Sequence, residues 1–430
     1  MPLTDPPAVS SREKGPLVTR SHRILGLCAA FCLPLLLASP SRAENWPSWR
    51  GPRYDGISGE TALPLHWGPD KNVAWALPLG GMGSSTPAVW GERIFLTSGE
   101  GAELLLLCIK TDGKILWKRK LGTSSRGTIR RDEANDASAS PSTDGKHVYA
   151  FVGSGDLACF DFEGNEVWKL NVQDHYGRFQ IQHGVHPTPL LYGDRLYLNL
   201  IHAGGHWVVA LDKTTGKEVW KAARKSDARG ESKEAYSSPC LWTDGKNAYL
   251  VVLGADYATA HRLEDGSEVW RLGDLNPQVK GGKYSEAFRI IASPVAVPEL
   301  IVVPTARGTV VVAVKPNATG FIQTGSAGEQ WRKLKGAPDV PSPLIHGGQV
   351  YLCRENGVLI CLDAKTGDTD YEKALHTDRY RASPVYADGR VYLASRDGWF
   401  SVVKAGPSFE LLAVNQLPDE FTASPAIAGG

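Results

Sequence analysis

Two histidines three residues apart, His183 and His186, are the nearest this chain comes to a metal-ligand motif. No acidic or cysteine partner stands at fixed spacing beside them, so loop hydrogen bonding or packing is their expected role. Five cysteines lie beyond residue 43 (Cys108, Cys159, Cys240, Cys353 and Cys361), scattered through apolar runs. An odd number placed in this way suits neither a disulfide framework nor a zinc site and reads as small buried hydrophobes. There is no Gly-x-Ser-x-Gly elbow, no phosphate loop and no His-Glu-x-x-His. The remaining candidates are charged or aromatic: Asp136, His186, Glu234, Tyr236, Arg289, Arg379, Arg381 and Glu420. They have a common place in a repeat.

A Ser/Thr-Pro dipeptide recurs at Thr86, Ser140, Thr188, Ser238, Ser293, Ser342, Ser383 and Ser424, in steps of 54, 48, 50, 55, 49, 41 and 41 residues. The residue ahead of it is small or proline in all eight. A Gly/Asp turn and an alternating strand follow, as in Gly193-Asp194-Arg195 before Leu196-Tyr197-Leu198. Such pairs supply the positive φ of tight hairpins. After a second turn and a third strand, each unit closes on a strand ending in an aromatic residue. Trp117, Trp168, Trp220 and Trp270 follow the turns TDG, EGN, TTG and EDG, and Trp331 and Tyr371 hold the equivalent places.

Four short antiparallel strands per unit, repeated along the chain, predict an all-β, eight-bladed β-propeller with almost no helix. One sheet cannot bury both its faces alone, so neighbours must stack, with the closing Trp filling the gap between them. Asn72-Val73-Ala74-Trp75 copies a closing strand with no blade upstream, and Ala423–Gly430 opens an eighth unit. The last blade is therefore expected to be shared between the two termini and incomplete, with the Trp75 strand beside the C-terminal one. The expected divisions are a signal peptide over 1–43, an N-terminal loop segment over 44–72 and the propeller over 73–430.

The innermost strand of each blade starts near the dipeptide, so residues just ahead of it should ring one mouth of the channel. Three before each Pro the ring reads Ser84, Ser138, His186, Tyr236, Ile291, Val340, Arg381 and Thr422. Five before, it includes Asp136, Glu234, Arg289, Arg379 and Glu420. Uniform dipeptides with variable neighbours suit a scaffold with one specialised face. Its charges form either a mixed-charge funnel or a set of inter-blade salt bridges of little energy. Tyr176–Phe179 and Tyr284–Phe288 are candidate contact loops, since Tyr, Phe and Arg are favoured at hot spots.

The 47 basic and 46 acidic side chains of the 430-residue chain give a net charge of +1 and no footprint for nucleic acid. Arg20, His22 and Arg23 precede an apolar run over 24–38, and Ser41-Arg42-Ala43 supplies small residues at −3 and −1. That is the pattern of a secretory signal peptide, too short for a spanning helix, and no other stretch is long and apolar enough to be one. Phe31 ahead of Cys32 is too bulky for a lipoprotein cleavage site.

The stretches Gly348–Asp368 (GQVYLCRENGVLICLDAKTGD) and Asp194–Trp220 resemble the pyrroloquinoline-quinone-like (PQQ-like) propeller repeat. Quinoprotein alcohol dehydrogenases and BamB-like outer-membrane assembly factors share that repeat. The resemblance runs from about Trp75 to Gly430 and implies the fold, while the function lies in whatever site the fold carries. The leading NWPSWRGPRYDGIS (Asn45–Ser58) is also similar to that of secreted propellers of this type. For an enzyme, the family implies PQQ with calcium on the propeller axis, an aspartate base and often two adjacent cysteines. No adjacent cysteine pair occurs, so no catalytic or metal-binding residue carries over. The expectation is a periplasmic or secreted, non-catalytic binding or scaffolding module without a cofactor, taking a protein or small ligand at one face. A PQQ-dependent dehydrogenase or a BamB-like assembly factor are the alternatives.

Overall fold

The computed structural model describes residues 44–124, 135–276 and 284–429, with Gly15. Apart from Gly15, the expected signal peptide lies outside the described residues, as do 125–134 and 277–283 in two of the long loops. The described residues from 44 to 429 belong to one compact unit.

Among the described residues there are seven antiparallel meanders of four strands, in chain order. Blade 1 comprises Ala88–Trp90, Arg93–Glu100, Glu103–Lys110 and Ile115–Thr123, and blade 2 Ser142–Thr143, His147–Phe151, Asp156–Asp161 and Glu166–Asn171. Blade 3 holds Leu190–Tyr192, Arg195–His202, Gly205–Asp212 and Glu218–Ala223. Blade 4 holds Cys240–Thr243, Ala248–Gly254, Tyr257–Arg262 and Glu268–Leu272. Blade 5 is Val295–Val297, Leu300–Pro304, Val311–Val314 and Glu329–Lys333. Leu344–His346, Gln349–Cys353, Val358–Asp363 and Thr369–Ala374 make blade 6. Val385–Ala387, Arg390–Ala394, Trp399–Lys404 and Leu411–Gln416 make blade 7. Among the described residues, helix is confined to single turns at Gln173–Tyr176 and Gly230–Lys233.

The middle strands of blades 2 to 7 are buried on both faces, and the core clusters run from blade to blade: Leu196, Leu198 and Leu200 of blade 3 meet Tyr149 and Phe151 of blade 2. The outer strand Ile115–Thr123 alternates half-buried and exposed residues over most of its length, as a half-solvated edge must.

Two recurring contacts explain the repeated residues. At the axis, the N–H of each dipeptide's Ser or Thr donates to the side-chain oxygen of the next. The chain runs from Thr86 through Ser140, Thr188, Ser238, Ser293, Ser342 and Ser383 to Ser424, at 2.9 Å in every link. Thr86 Oγ1 closes the circle on the Ser424 carbonyl at 3.0 Å. Each link satisfies a buried backbone donor that has no sheet partner, and the following Pro adds no further donor to satisfy. Between blades, the closing Trp reaches the next blade's turn. Trp117, Trp168, Trp220 and Trp331 donate Nε1–H to the carbonyls of Phe162, Lys213, Leu263 and Ala364 at 2.8–2.9 Å. The ring lies on the turn glycine: a Cβ at Gly266, where φ is +74°, would sit 2.5 Å from the Trp220 ring.

Blade 4 carries a fifth strand that the repeat does not foreshadow. Gly320–Ile322, from an insertion in blade 5, pairs in parallel with Trp270–Leu272 and covers that outer edge.

Eight dipeptides in one belt with seven complete sheets are consistent with an eight-fold ring whose last sector is incomplete. Trp75 takes the closing-Trp seat, with Nε1–H on the Thr111 carbonyl at 2.7 Å and its ring over Gly113. Ser424 holds the eighth place in the belt. Among the described residues, however, no ladder joins 73–79 to 425–429. The two segments line one cleft instead of lying side by side. They correspond to the first and fourth strands of a blade, which in a four-strand meander are never neighbours.

Candidate functional site

The eight residues three before each Pro all line one cavity of about 210 Å³ at a mouth of the channel, together with His183 and Arg289. The belt holds the inner strands at a fixed radius, so side chains at one register meet. His186 Nδ1 lies 2.5 Å from Ser138 Oγ, and its Nε2 lies 2.8 Å from the His183 carbonyl, so both ring nitrogens are engaged. Tyr236 faces both imidazoles, with ring centroids at 5.9 and 6.0 Å. Burial and the Glu234 carboxylate, which accepts its hydroxyl proton, push the Tyr236 phenol far above its usual range.

The predicted residues divide. His186, Tyr236, Arg289 and Arg381 line the cavity, and Asp136, Glu234, Arg379 and Glu420 do not. Asp136 is buried and accepts from Ser124, while Glu234 is buried behind Tyr236 and accepts from the Gln182 N–H at 3.0 Å. The Arg379 carbonyl accepts from the Arg396 N–H, and Glu420 pairs with Arg396 at 3.4 Å. The arginines of the mouth pair with acids outside both predicted rings. Arg289 and His183 meet Glu231 at 3.3 Å, and Arg381 meets Glu355 at 3.5 Å. Glu231 and Glu355 come from neighbouring loops, which a count from the dipeptide cannot reach. In the candidate contact loops, Tyr176 and Phe288 are buried and Tyr284 bonds Asp256. Their aromatic residues mostly anchor the loops.

The other end of the channel is plugged. Trp46 pairs with Val89, the Pro47 carbonyl accepts from Thr143 at 2.8 Å, and the Tyr54 hydroxyl donates to Leu191, so the stretch reaches blades 1, 2 and 3. Arg50, 2% exposed, donates to the carbonyls of Pro384 at 2.8 Å, Pro343 at 2.9 Å and Asp55 at 3.1 Å. Burial lowers its guanidinium to about 10, opposed by the nearby Asp55. Ile57 bridges Tyr386. These contacts fall on the dipeptide prolines or after them, whereas the ring falls before them, so plug and ring lie at opposite ends of the innermost strands. Aromatic and Arg residues crowded among Gly and Pro ahead of the first repeat were the sequence signal for this plug.

His202 ties the loop carrying His183 to blade 3. Its Nδ1 accepts from Gly204 at 3.1 Å and Gln180 at 3.4 Å, and Phe179 packs edge-on at 5.5 Å. Burial, aided by nearby His206, lowers His202 to about 4. It is neutral in the fold and protonates near 6.5 when unfolded, so unfolding takes up a proton below that pH. Thermal stability should therefore fall as pH drops from about 6.5 and level off near 4, and His202→Gln should flatten that slope in melting curves.

Among the described residues no three His, Cys, Asp or Glu converge as a metal site. The mouth cavity is lined by two arginines and no carboxylate, and it is smaller than the roughly 300 Å³ at which ordinary ligand pockets begin. These residues do not fit a quinone held with a calcium ion.

A family profile described as outer membrane protein assembly factor BamB matches residues 66–179, 157–320 and 322–406. No curated protein matches the chain. Among solved structures, BamB from Moraxella catarrhalis is similar with a TM-score of 0.54 and 15% identity, covering 79% of this chain and 87% of that one. The quinohemoprotein alcohol dehydrogenase from Comamonas testosteroni has a TM-score of 0.61 and 12% identity, over 89% of this chain and 74% of that one. The quinohemoprotein alcohol dehydrogenase ADHIIG from Pseudomonas putida HK5 gives 0.61 and 13%, over 88% and 73%. At such identities the likeness shows the fold alone. Among the described residues no helix is long and apolar enough to cross a membrane.

Proposed function

The chain belongs to the outer membrane protein assembly factor BamB family of PQQ-like repeat propellers, and from that premise we propose that it is a non-catalytic binding module working outside the cytoplasm. The observation that carries this reading is a channel plugged at one end by residues 46–57 and lined at the other by the variable ring. A partner enters from the ring side only. The small cavity, with Tyr236, Ile291 and Val340 beside Arg289 and Arg381, suits one inserted side chain of a protein partner better than a whole cofactor. An acidic or C-terminal carboxylate of that partner would share the two arginines with Glu231 and Glu355. The basic, apolar and small-residue pattern of residues 1–43 supports export.

The test places a photo-crosslinking amino acid at Val340 in the expressing cell, with the exposed Lys114 as control site. The expected result is one dominant protein adduct from Val340, reduced at least tenfold by Arg289→Ala with Arg381→Ala. The purified protein should also take up no PQQ in the presence of calcium. Stoichiometric PQQ uptake with dye-linked alcohol oxidation, or equal adducts from both sites, would overturn the reading.

A further inference from the structure

We propose that the groove between blades 5 and 6, on the plug side, is a second binding site that takes a small planar aromatic molecule with a ring N–H and no negative charge. The groove has a volume of about 600 Å³, within the usual range of ligand pockets, and shares no lining residue with the channel mouth. Val297, Pro298 and Leu300 of blade 5 form one side, and the backbone turn Gly347–Gly348 of blade 6 forms the other. Ile57 of the plug adds to the wall and is held by its bridge to Tyr386.

The other seams between blades identify the ligand. The residue three after each dipeptide's Pro ends the innermost strand and faces the next blade's first turn. In blade 1 it is Trp90, whose ring lies on that turn of blade 2: a Cβ at Gly145 would be 2.5 Å from it. In blade 4 it is Trp242, stacked on Tyr249 at 4.6 Å, with Nε1–H donating to the Pro298 carbonyl of blade 5 at 3.2 Å. Asp144 of blade 2 reaches Lys213 of blade 3 at 2.9 Å, and His346 of blade 6 stacks on Tyr386 of blade 7 at 3.5 Å. In blade 5 the place falls to Val297, which does not cover the turn beyond it: a Cβ at Gly348 would meet nothing within 4 Å. The groove therefore has the walls that hold an indole in seams 1/2 and 4/5, with apolar side chains on one face and a backbone turn on the other. The Gly347 carbonyl, four after Pro343 as Pro298 is four after Pro294, is the counterpart acceptor for a ring N–H. An aliphatic molecule would bury the same walls and leave that acceptor unmet. Glu299 and Asp363 line the groove against Lys365 alone, which disfavours an anion.

The probe is tryptamine, added to the purified protein and read by titration calorimetry and by amide hydrogen exchange. The expected result is saturation at one molecule per chain, with exchange slowed over 297–300 and 346–349. Indole-3-acetate, the same ring with a negative charge, should bind at least tenfold more weakly. Val297→Trp, which supplies the ring from the chain itself, should weaken tryptamine binding at least tenfold and raise the melting temperature of the ligand-free protein. Val167→Trp, on an outer strand where the side chain is 47% exposed, should bind like the parent. If Val297→Trp does not fold, the exchange map of the parent decides. Absence of saturable binding, slowed exchange only elsewhere, equal affinity for indole-3-acetate, or undiminished binding to a folded Val297→Trp would each overturn the proposal.

Discussion

Replacing Arg50 with methionine should lower the unfolding free energy by about 4 kcal/mol, roughly the cost of breaking one buried, hydrogen-bonded charged site. The stem can be replaced almost isosterically, but the three carbonyls of Pro384, Pro343 and Asp55 lose their donor. All three lie in the plug or on the inner strands, away from bulk water, so they are left unsatisfied. For a unit of this size the loss amounts to a drop in the melting temperature of about 5 °C, read by calorimetry. Exchange of backbone amides around Trp46 and Gly56 should speed up in the same variant, because the Arg50 fork ties the plug to blade 6 and, beside the Ile57–Tyr386 bridge, to blade 7. A change below about 1 kcal/mol would mean that the plug is held by its other contacts, at Trp46, Pro47, Tyr54 and Ile57.

Trp220→Ala should cost about 3–5 kcal/mol, the range for removing a buried large aromatic side chain. It empties the seam between blades 3 and 4 and removes the donor to the Leu263 carbonyl. Gly266→Ala should also destabilise, for two reasons: its φ of +74° disfavours a Cβ, and that Cβ meets the indole at 2.5 Å. Only the second reason depends on Trp220. The double variant should therefore be more stable than the sum of the singles predicts, by about 1 kcal/mol or more, measured as urea midpoints in a double-mutant cycle. Strict additivity would show that the indole and the turn glycine do not share their space.

Much of the fold was legible because the repeat unit is local. Turn glycines, a dipeptide that cannot continue a ladder and a closing aromatic are chosen by forces acting within a few residues, and their recurrence exposes the architecture. The mouth was legible for the same reason, since residues at one offset from a belt of fixed radius must converge, as Ser84, His186, Arg381 and their equivalents do. One offset further, the counting fails. The five-before positions include Arg289, which lines the cavity, and Asp136, which is spent on Ser124. Loops of different lengths carry these residues, and no local rule fixes where they turn.

The sequence by itself determined the strands, the hairpin turns and the register that brings one side chain per unit to the channel mouth. Only the tertiary structure decided which mouth is open, which acids hold the arginines and which loop of blade 5 pairs with the edge of blade 4. Contacts such as Arg50 to Pro384 span 334 residues, and nothing in the local chemistry of either partner specifies the other. Periodic short-range preferences are written in the order of residues, whereas a plug, an ion pair between loops and an added edge strand exist only once distant segments have met.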